Sequence, residues 1–313
     1  VTQNTVAIGA GTVFPSFSFL LGLPAPSTAP AAMAVGDTPA ESSSEIIETR
    51  SYVYTFVTAN GEEGPPSSPS PVFDIYPTSQ TATVSLMQTA EDAAYNVTHK
   101  YIYRTVTAAA GTQYQFVAKV LLSESSYSDA LSSLQVGGVL PSTGWSAPPA
   151  GMIGLTSLSN GILAGFKDNE VMFCEPFMPH AWPTKYRMST DFPIVGIKAV
   201  GSSLIVTTKA FPYVAQGAHP SNMTIARMRE NQSCVSKRSI VGMGKYVMYA
   251  SPDGLIAAAG TTATLATDRV LSRTQWQAMK PETMHGYMHE GRYIGFYTVD
   301  AVQKGFIFDM DQM

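Results

Sequence analysis

The sequence predicts an all-β protein: β-propeller-like repeats, an inserted or preceding β-sandwich, and an extended N-terminal arm. Three observations predict this architecture. Short segments rich in β-branched and aromatic residues recur at spacings of about ten residues, with turn signals between them. In the second half of the chain, a strand–turn–strand pattern returns at intervals of about 40–50 residues. The first 45 residues are rich in Pro, Ala and Ser and have almost no hydrophobic periodicity.

Composition limits the classes of function. The 313 residues are 45% hydrophobic but only 13% charged, where about 25% charged is usual. This indicates a β-rich protein that hides much of its surface in an assembly. The net charge is −4 and no basic stripe is present, which excludes a general nucleic-acid binder, because such proteins neutralise phosphates with Lys and Arg.

The sequence also predicts no stable membrane insertion. No apolar run reaches the ~18 residues of a membrane span. The longest candidate, residues 13–26, is interrupted by Pro15, Gly22 and Pro24. It lacks the basic region of a signal peptide.

The first two segments of the chain differ in character. Residues 1–45 are predicted to be the arm, because their composition favours extended chain and cannot build a core. Residues 46–140 are predicted to form the sandwich. Within them "SYVYTFVTA" (51–59) alternates strictly, which predicts a strand buried on both sides, and Asn60-Gly61 predicts the turn that follows it.

Residues 141–150, with four Gly or Pro in ten positions, are predicted to be a stiff linker.

Residues 151–313 contain an internal repeat. The repeats start at Ile153, Ile194, Ile240 and His285, in steps of 41, 46 and 45 residues. Each contains three apolar strands separated by turns, so about four propeller blades are predicted. One helix is predicted at "SRTQWQAMK", with Ser272 or Thr274 as its cap and Pro281 after its end.

The stretch "CEPFMPHAWP" (174–183) resembles an active site at first sight. A cysteine enzyme needs a thiolate activated by a nearby histidine, and Cys174 and His180 offer that pair. However, Pro176, Pro179 and Pro183 fix backbone angles and remove donors. We therefore predict a rigid loop that locks one repeat onto the next, with Phe177 and Trp182 as its buried surface.

Other candidate sites are weaker. His285, His289 and Glu290 could hold zinc, but in a strand residues four apart lie ~13 Å from each other. Cys174 and Cys234 could pair, although two buried thiols are the simpler interpretation. "SPDG" (251–254) is typical of a type I turn, and "GAGT" (9–12) lacks the lysine of a phosphate loop. The sequence thus predicts no catalytic residue, no cofactor and no metal site.

Several phrases together resemble a family of tailed-bacteriophage and prophage virion proteins. They are "GLPAPSTAP", "RSYVYTFVTANGEEGPPS", "NGILAGFKDNEVMFCEPFMPHAWP", "PIVGIKAVGSSLIVTT", "GAHPSNM", "CVSKRSIV" and "YASPDGLI". The resemblance extends from about Gly22 to about residue 300. Cys174 stands where this family commonly has Ser, which argues against a required nucleophile. The family is similar to the nozzle (tail tubular protein B) proteins of short phage tails, which carry a propeller and form a ring.

The middle region also resembles a fibronectin type III module. "YVYTFVTANGEEGPPS" is similar to its penultimate strand and turn, and "KYIYRT" with "YQFVAKV" to its central strands. The penultimate-strand phrase comes first in this chain. A permuted module, or an insertion into the propeller, would explain that order.

The resemblance implies a non-enzymatic tail protein, assembled in the host cytoplasm and located in the virion. Its expected partners are further copies, in a ring of about six, and other tail proteins such as the adaptor and fibres. DNA would pass only transiently through the lumen, because a slightly acidic chain does not grip its phosphates. Two alternatives remain: a receptor- or glycan-binding module, and a propeller glycoside hydrolase, which would need converging carboxylates.

Overall fold

The computed structural model describes residues 19–40, 44–108 and 111–309. It is 46% strand and 7% helix, with several small antiparallel sheets, so the prediction of an all-β protein is confirmed. The chain divides into two compact units, Val1–Pro148 and Pro149–Met313. The boundary between them falls inside the segment predicted to be a linker.

The first unit is built from nine strands in its described ranges. They are β1 (Ala31–Gly36), β2 (Glu48–Arg50), β3 (Tyr52–Thr58), β4 (Glu63–Pro66), β5 (Phe73–Ile75), β6 (Gln80–Ser85), β7 (Val97–Ala108), β8 (Gly111–Leu121) and β9 (Tyr127–Asp129). Their sheets have the orders β4-β3-β7-β8, β1-β6-β9 and β2-β5, and all pairs are antiparallel.

Strand β3 is central to this unit, and all seven of its residues are buried. Its three large aromatic residues, Tyr52, Tyr54 and Phe56, share one core with Ala82 and Val84 of β6. On the opposite face Val53 packs with Tyr103 and Leu140. The prediction of a strand buried on both sides is therefore confirmed.

Part of the predicted arm is ordered structure. Residues 31–36 form β1, which pairs with β6 from Ala31↔Ser85 to Gly36↔Gln80. Leu23 is only 2% exposed and belongs to the core. We expected extended chain whose composition cannot build a core. Residues 31–36 are extended, but Ala32 and Ala34 pack against the core of the first unit, because a strand pairs through its backbone and needs no large side chains. Residues 1–18, with "GAGT", lie outside the described residues.

The second unit holds fifteen strands in its described part. They are β10 (Ile153–Ser157), β11 (Leu163–Lys167), β12 (Glu170–Phe173), β13 (Arg187–Ser189), β14 (Ile194–Val200), β15 (Ser203–Thr208), β16 (Tyr213–Gln216), β17 (Thr224–Arg227), β18 (Val241–Gly242), β19 (Val247–Ala250), β20 (Leu255–Ala259), β21 (Thr262–Leu265), β22 (His285–His289), β23 (Arg292–Val299) and β24 (Val302–Phe308). They form four consecutive antiparallel sheets: the first sheet (β10–β13), the second (β14–β17), the third (β18–β21) and the last (β22–β24).

The predicted starting points of the repeats are confirmed. The first, second and last sheets begin at Ile153, Ile194 and His285, and the third sheet begins one residue after Ile240. Each of the first three sheets also has a fourth strand. Two of these, β13 and β17, come after the three apolar strands that the sequence predicts for each repeat. Their short length, three and four residues, hides them from a periodicity argument.

Adjacent sheets of this unit pack face to face. Phe166 and Val171 of the first sheet share a core with Leu204 and Val206 of the second. Similar cores join the second sheet to the third and the third to the last. The first strands of successive sheets, β10, β14, β18 and β22, are neighbours in space.

The predicted helix is α1 (Arg273–Ala278), and Ser272 caps it together with Gln275. The turn at residues 251–254 joins β19 to β20. There Ser251 Oγ, and not Asp253, accepts from the N–H groups of Asp253 and Gly254, at 3.1 and 3.2 Å. Within the described residues no helix has the length and apolar character needed to cross a membrane.

Candidate functional site

The loop after β12 contains the Cys–His pair that suggested catalysis. Cys174 is 1% exposed, and its Sγ accepts the N–H of Leu163 at 3.0 Å. Burial raises the pKa of the Cys174 thiol, and burial lowers the pKa of His180. Activation of a cysteine nucleophile requires a lowered thiol pKa, so the raised pKa of Cys174 is unfavourable for it.

The same loop is stabilised by hydrogen bonds among its own residues. Glu175 N–H donates to Ala181 O at 2.8 Å, and Ala181 N–H donates to Met178 O at 3.0 Å. Trp182 is 1% exposed, and its Nε1–H donates to Pro179 O at 2.8 Å. Trp182 packs against Met172 and Cys174 on the face of the first sheet that points away from the second. The loop is therefore a structural cover for that face.

Phe177 does not behave as predicted. Its side chain is 78% exposed, whereas we expected it to be buried beside Trp182. Its φ of +61° is a strained value for a bulky residue. The ring lies close to Gly161, where a Cβ would come within 2.4 Å of it. The positive φ turns the ring outward, and no sequence pattern of this loop signals that turn.

The loop also contacts the second sheet, as the sequence interpretation required. Glu175 Oε1 lies 3.5 Å from His219 Nε2. The ring of Tyr186 meets the His219 ring edge-on, with centroids 5.9 Å apart. Asn160 Nδ2 donates to Ala218 O at 2.8 Å. Because His219 and Ala218 connect β16 to β17, these contacts join two sheets through their loops.

The histidine cluster does not form a three-ligand site. His285 and His289 stand at opposite ends of β22. His285 Nε2 lies 3.3 Å from Arg238 Nη1, and His289 Nε2 lies 3.8 Å from Glu290 Oε1. Among the described residues no group of three or more His, Cys, Asp or Glu is placed to hold a metal ion. Cys174 and Cys234 are both buried and unbridged.

Sequence reasoning missed a set of buried charges in the first unit. Asp129 Oδ2 accepts from Tyr52 Oη and from Arg104 Nη1, each at 2.6 Å. Glu63 Oε1 accepts from Thr55 Oγ1 and Tyr103 Oη, each at 2.8 Å, and burial raises the Glu63 pKa. Lys100 Nζ donates to the carbonyls of Gln88 and Glu124. A charged residue inside an apolar strand, as in "HKYIYRT", was the available signal, but its partner lies too far along the chain to be inferred.

Within the described residues, one face of the last sheet exposes a group of apolar side chains. Strand register places Tyr287, Ile294 and Ile307 side by side, and Phe296 on the same face. We call these four residues the outer face of the last sheet. Tyr287 is 60% exposed, Phe296 37% and Ile307 66%. The opposite face, with Tyr293 and Phe308, packs against the third sheet. Among the described residues no sheet packs against the outer face in the way that the third sheet packs against the opposite one.

No protein-family model matches the chain, and no curated protein matches it.

Proposed function

We propose that this chain is a structural component of a bacteriophage tail that assembles with further copies into a ring. The tail assignment rests on the sequence phrases that resemble tailed-phage virion proteins. Assembly into a ring is inferred from the outer face of the last sheet, and this exposed apolar face is the observation that carries the proposal. Apolar side chains grouped on one exposed face are typical of protein–protein interaction sites rather than of ordinary surface.

The proposal includes a finer description of both units. The four sheets of the second unit are blades of a propeller, and the proximity of their first strands supports this, since the blades of a propeller are arranged around a common central channel. The first unit is a permuted fibronectin type III-like sandwich. Its support is the core shared between a four-stranded and a three-stranded antiparallel sheet.

The proposed role is mechanical and not catalytic. Rigid sheets shape a channel through which DNA passes transiently during ejection, and the same ring docks neighbouring tail proteins. The protein is assembled in the host cytoplasm and located in the virion tail. The raised pKa of the buried Cys174 thiol favours this over cysteine catalysis.

The experiment changes the outer face and follows particle mass. Ile307→Asp with Tyr287→Asp places two carboxylates on the face, and burial of unpaired charge is costly. Leu134→Asp is the matched control, since Leu134 is 98% exposed but lies in the first unit. Mass photometry should show rings for the wild type and the control, and single chains for the double variant.

Two results would contradict the proposal. One is a wild-type chain that remains monomeric at every concentration, which would favour a glycan- or receptor-binding module and make a glycan screen the next step. The other is a ring that the double variant forms as readily as the wild type, which would mean that another surface makes the interface.

A further inference from the structure

We propose that a small pocket, lined by the first strands of the first two sheets and by residues just before the third sheet, binds a tetrahedral oxyanion such as a phosphate group. The pocket has a volume of about 170 Å³. Gly154 and Thr156 of β10, Gly196 and Lys198 of β14, and Lys237 and Ile240 before β18 line it. The proposal does not depend on ring formation.

The charge of the pocket is positive. Two of its lining residues are lysines and none is acidic. Neither Lys198 nor Lys237 forms an ion pair with a carboxylate of the described residues. Lys237 Nζ lies 5.6 Å from the centroid of the Phe166 ring. Lysine binds phosphate as a point charge, so a bound anion would neutralise two cations that have no acidic partner.

The two lysine stems lie on glycines. A Cβ on Gly242 would come within 3.0 Å of Lys198 Cε, and a Cβ on Gly196 would lie 3.7 Å from Lys237 Cγ. The absence of a Cβ on Gly242 leaves room for the Lys198 stem, whereas the Lys237 stem lies at ordinary contact distance from Gly196. A side chain that already lies in place loses less conformational entropy when it binds a ligand.

Two irregularities in the strands border the same pocket. The pairing of β10 with β11 shifts between Ile153 and Thr156, and the pairing of β14 with β15 shifts between Ile194 and Gly196. Such bulges leave backbone groups outside the ladder and are frequent next to functional sites. The pocket is thus lined by two irregular strands, by Thr156 and by two lysines. Main-chain N–H, hydroxyl and ammonium groups are the usual partners of a phosphate oxygen.

The size of the pocket limits the ligand. Sites for drug-sized molecules have volumes of roughly 300–1,000 Å³, and this pocket is smaller. It suits one compact anion, either free phosphate or a single phosphate of a longer phosphodiester chain. A whole nucleotide would not fit inside it.

The test is a calorimetric titration of the full chain with inorganic phosphate at constant ionic strength. The variant Lys198→Met/Lys237→Met keeps the stems and removes both charges. Lys209→Met/Lys245→Met is the matched control, because both of these lysines are exposed and lie outside the pocket. We expect saturable binding by the wild type and the control, and binding at least about tenfold weaker in the pocket variant, equivalent to the loss of 1.4 kcal/mol or more.

A second arm identifies the source of the phosphate. A short single-stranded oligonucleotide that competes with inorganic phosphate indicates a phosphodiester ligand, and one that does not compete indicates a free anion. The proposal is overturned if the wild type shows no saturable phosphate binding, or if the pocket variant binds as tightly as the control. Lys198→Gln/Lys237→Gln repeats the comparison if the Met variant does not fold.

Discussion

Arg104 Nη1 lies 2.6 Å from Asp129 Oδ2, and both side chains are fully buried. Arg104 belongs to β7 of the four-stranded sheet, and Asp129 ends β9 of the three-stranded sheet. The pair therefore joins two sheets across the core of the first unit. Tyr52 Oη donates to the same carboxylate oxygen, so three strands meet at one charge.

Removal of one member of this pair should be strongly destabilising. Arg104→Met leaves the Asp129 carboxylate buried without its closest cation, and losses of about 3–5 kcal/mol are typical when a buried pair is broken. Urea unfolding followed by circular dichroism measures the change. Arg273→Ala is the control, because it breaks an exposed pair with Asp253 at 2.9 Å and should cost less than about 1 kcal/mol. Equal losses in the two variants would refute a structural role for the buried pair.

In the loop at residues 174–183, substitutions of the buried Trp182 and of the exposed Phe177 should differ in their effect on stability. Trp182→Ala removes a buried indole, and the free energy of unfolding should fall by about 3–5 kcal/mol. Phe177→Gly removes an exposed ring from a residue with positive φ, a conformation that glycine adopts readily. Its stability should stay within about 1 kcal/mol of the wild type. Chemical denaturation of both variants measures this, and a Phe177→Gly loss as large as that of Trp182→Ala would show that the ring is buried in solution.

Cys234 should make the second unit less stable at alkaline pH. Burial raises its pKa from 9.0 to about 11. The folded state therefore holds a proton that the unfolded state has lost, and stability falls as pH rises from 9 to 11, by at most about 1.4 kcal/mol per pH unit. Melting temperatures of the wild type and Cys234→Ala, measured between pH 8 and 11, should converge as pH rises. Parallel curves would exclude Cys234 as the source of the pH dependence.

Lys100 should have the opposite effect in the first unit. Burial lowers its pKa from 10.5 to about 8. Between these two pKa values the unfolded state binds one more proton than the folded state, so stability rises with pH through this window. The cost of burying the charged ammonium group is fully present below pH 8. Lys100→Met should abolish that rise. The measurement is urea unfolding at pH 7.5 and pH 10, and a rise that persists in the variant would contradict the assignment.

Much of the fold could be predicted because it depends on local pattern. The alternation of "SYVYTFVTA" specifies a strand whatever it packs against, and the anchors Ile153, Ile194 and His285 coincide with strand starts. The helix was predictable because Ser272 and Gln275 cap it within one turn. In contrast, β1 was missed because its partner β6 begins 44 residues beyond its last residue, and composition alone favoured extended chain.

The candidate sites were less predictable because they depend on distant residues. Trp182 could be recognised as a buried anchor of its loop, but the outward turn of Phe177 follows from a backbone angle that the sequence does not signal. The proposed phosphate pocket brings Lys198 and Lys237 together from different sheets, and the Lys198 stem lies over Gly242 of a neighbouring strand. The outer face of the last sheet became visible only when strand register placed Tyr287, Ile294 and Ile307 side by side.

The most direct test of the central claim is electron microscopy of the purified wild-type chain, after mass photometry has selected the largest species. We predict a closed ring of about six copies of the 33.5 kDa chain around an open channel. A species that stays at the mass of one chain, or that forms only open or irregular aggregates, would contradict it.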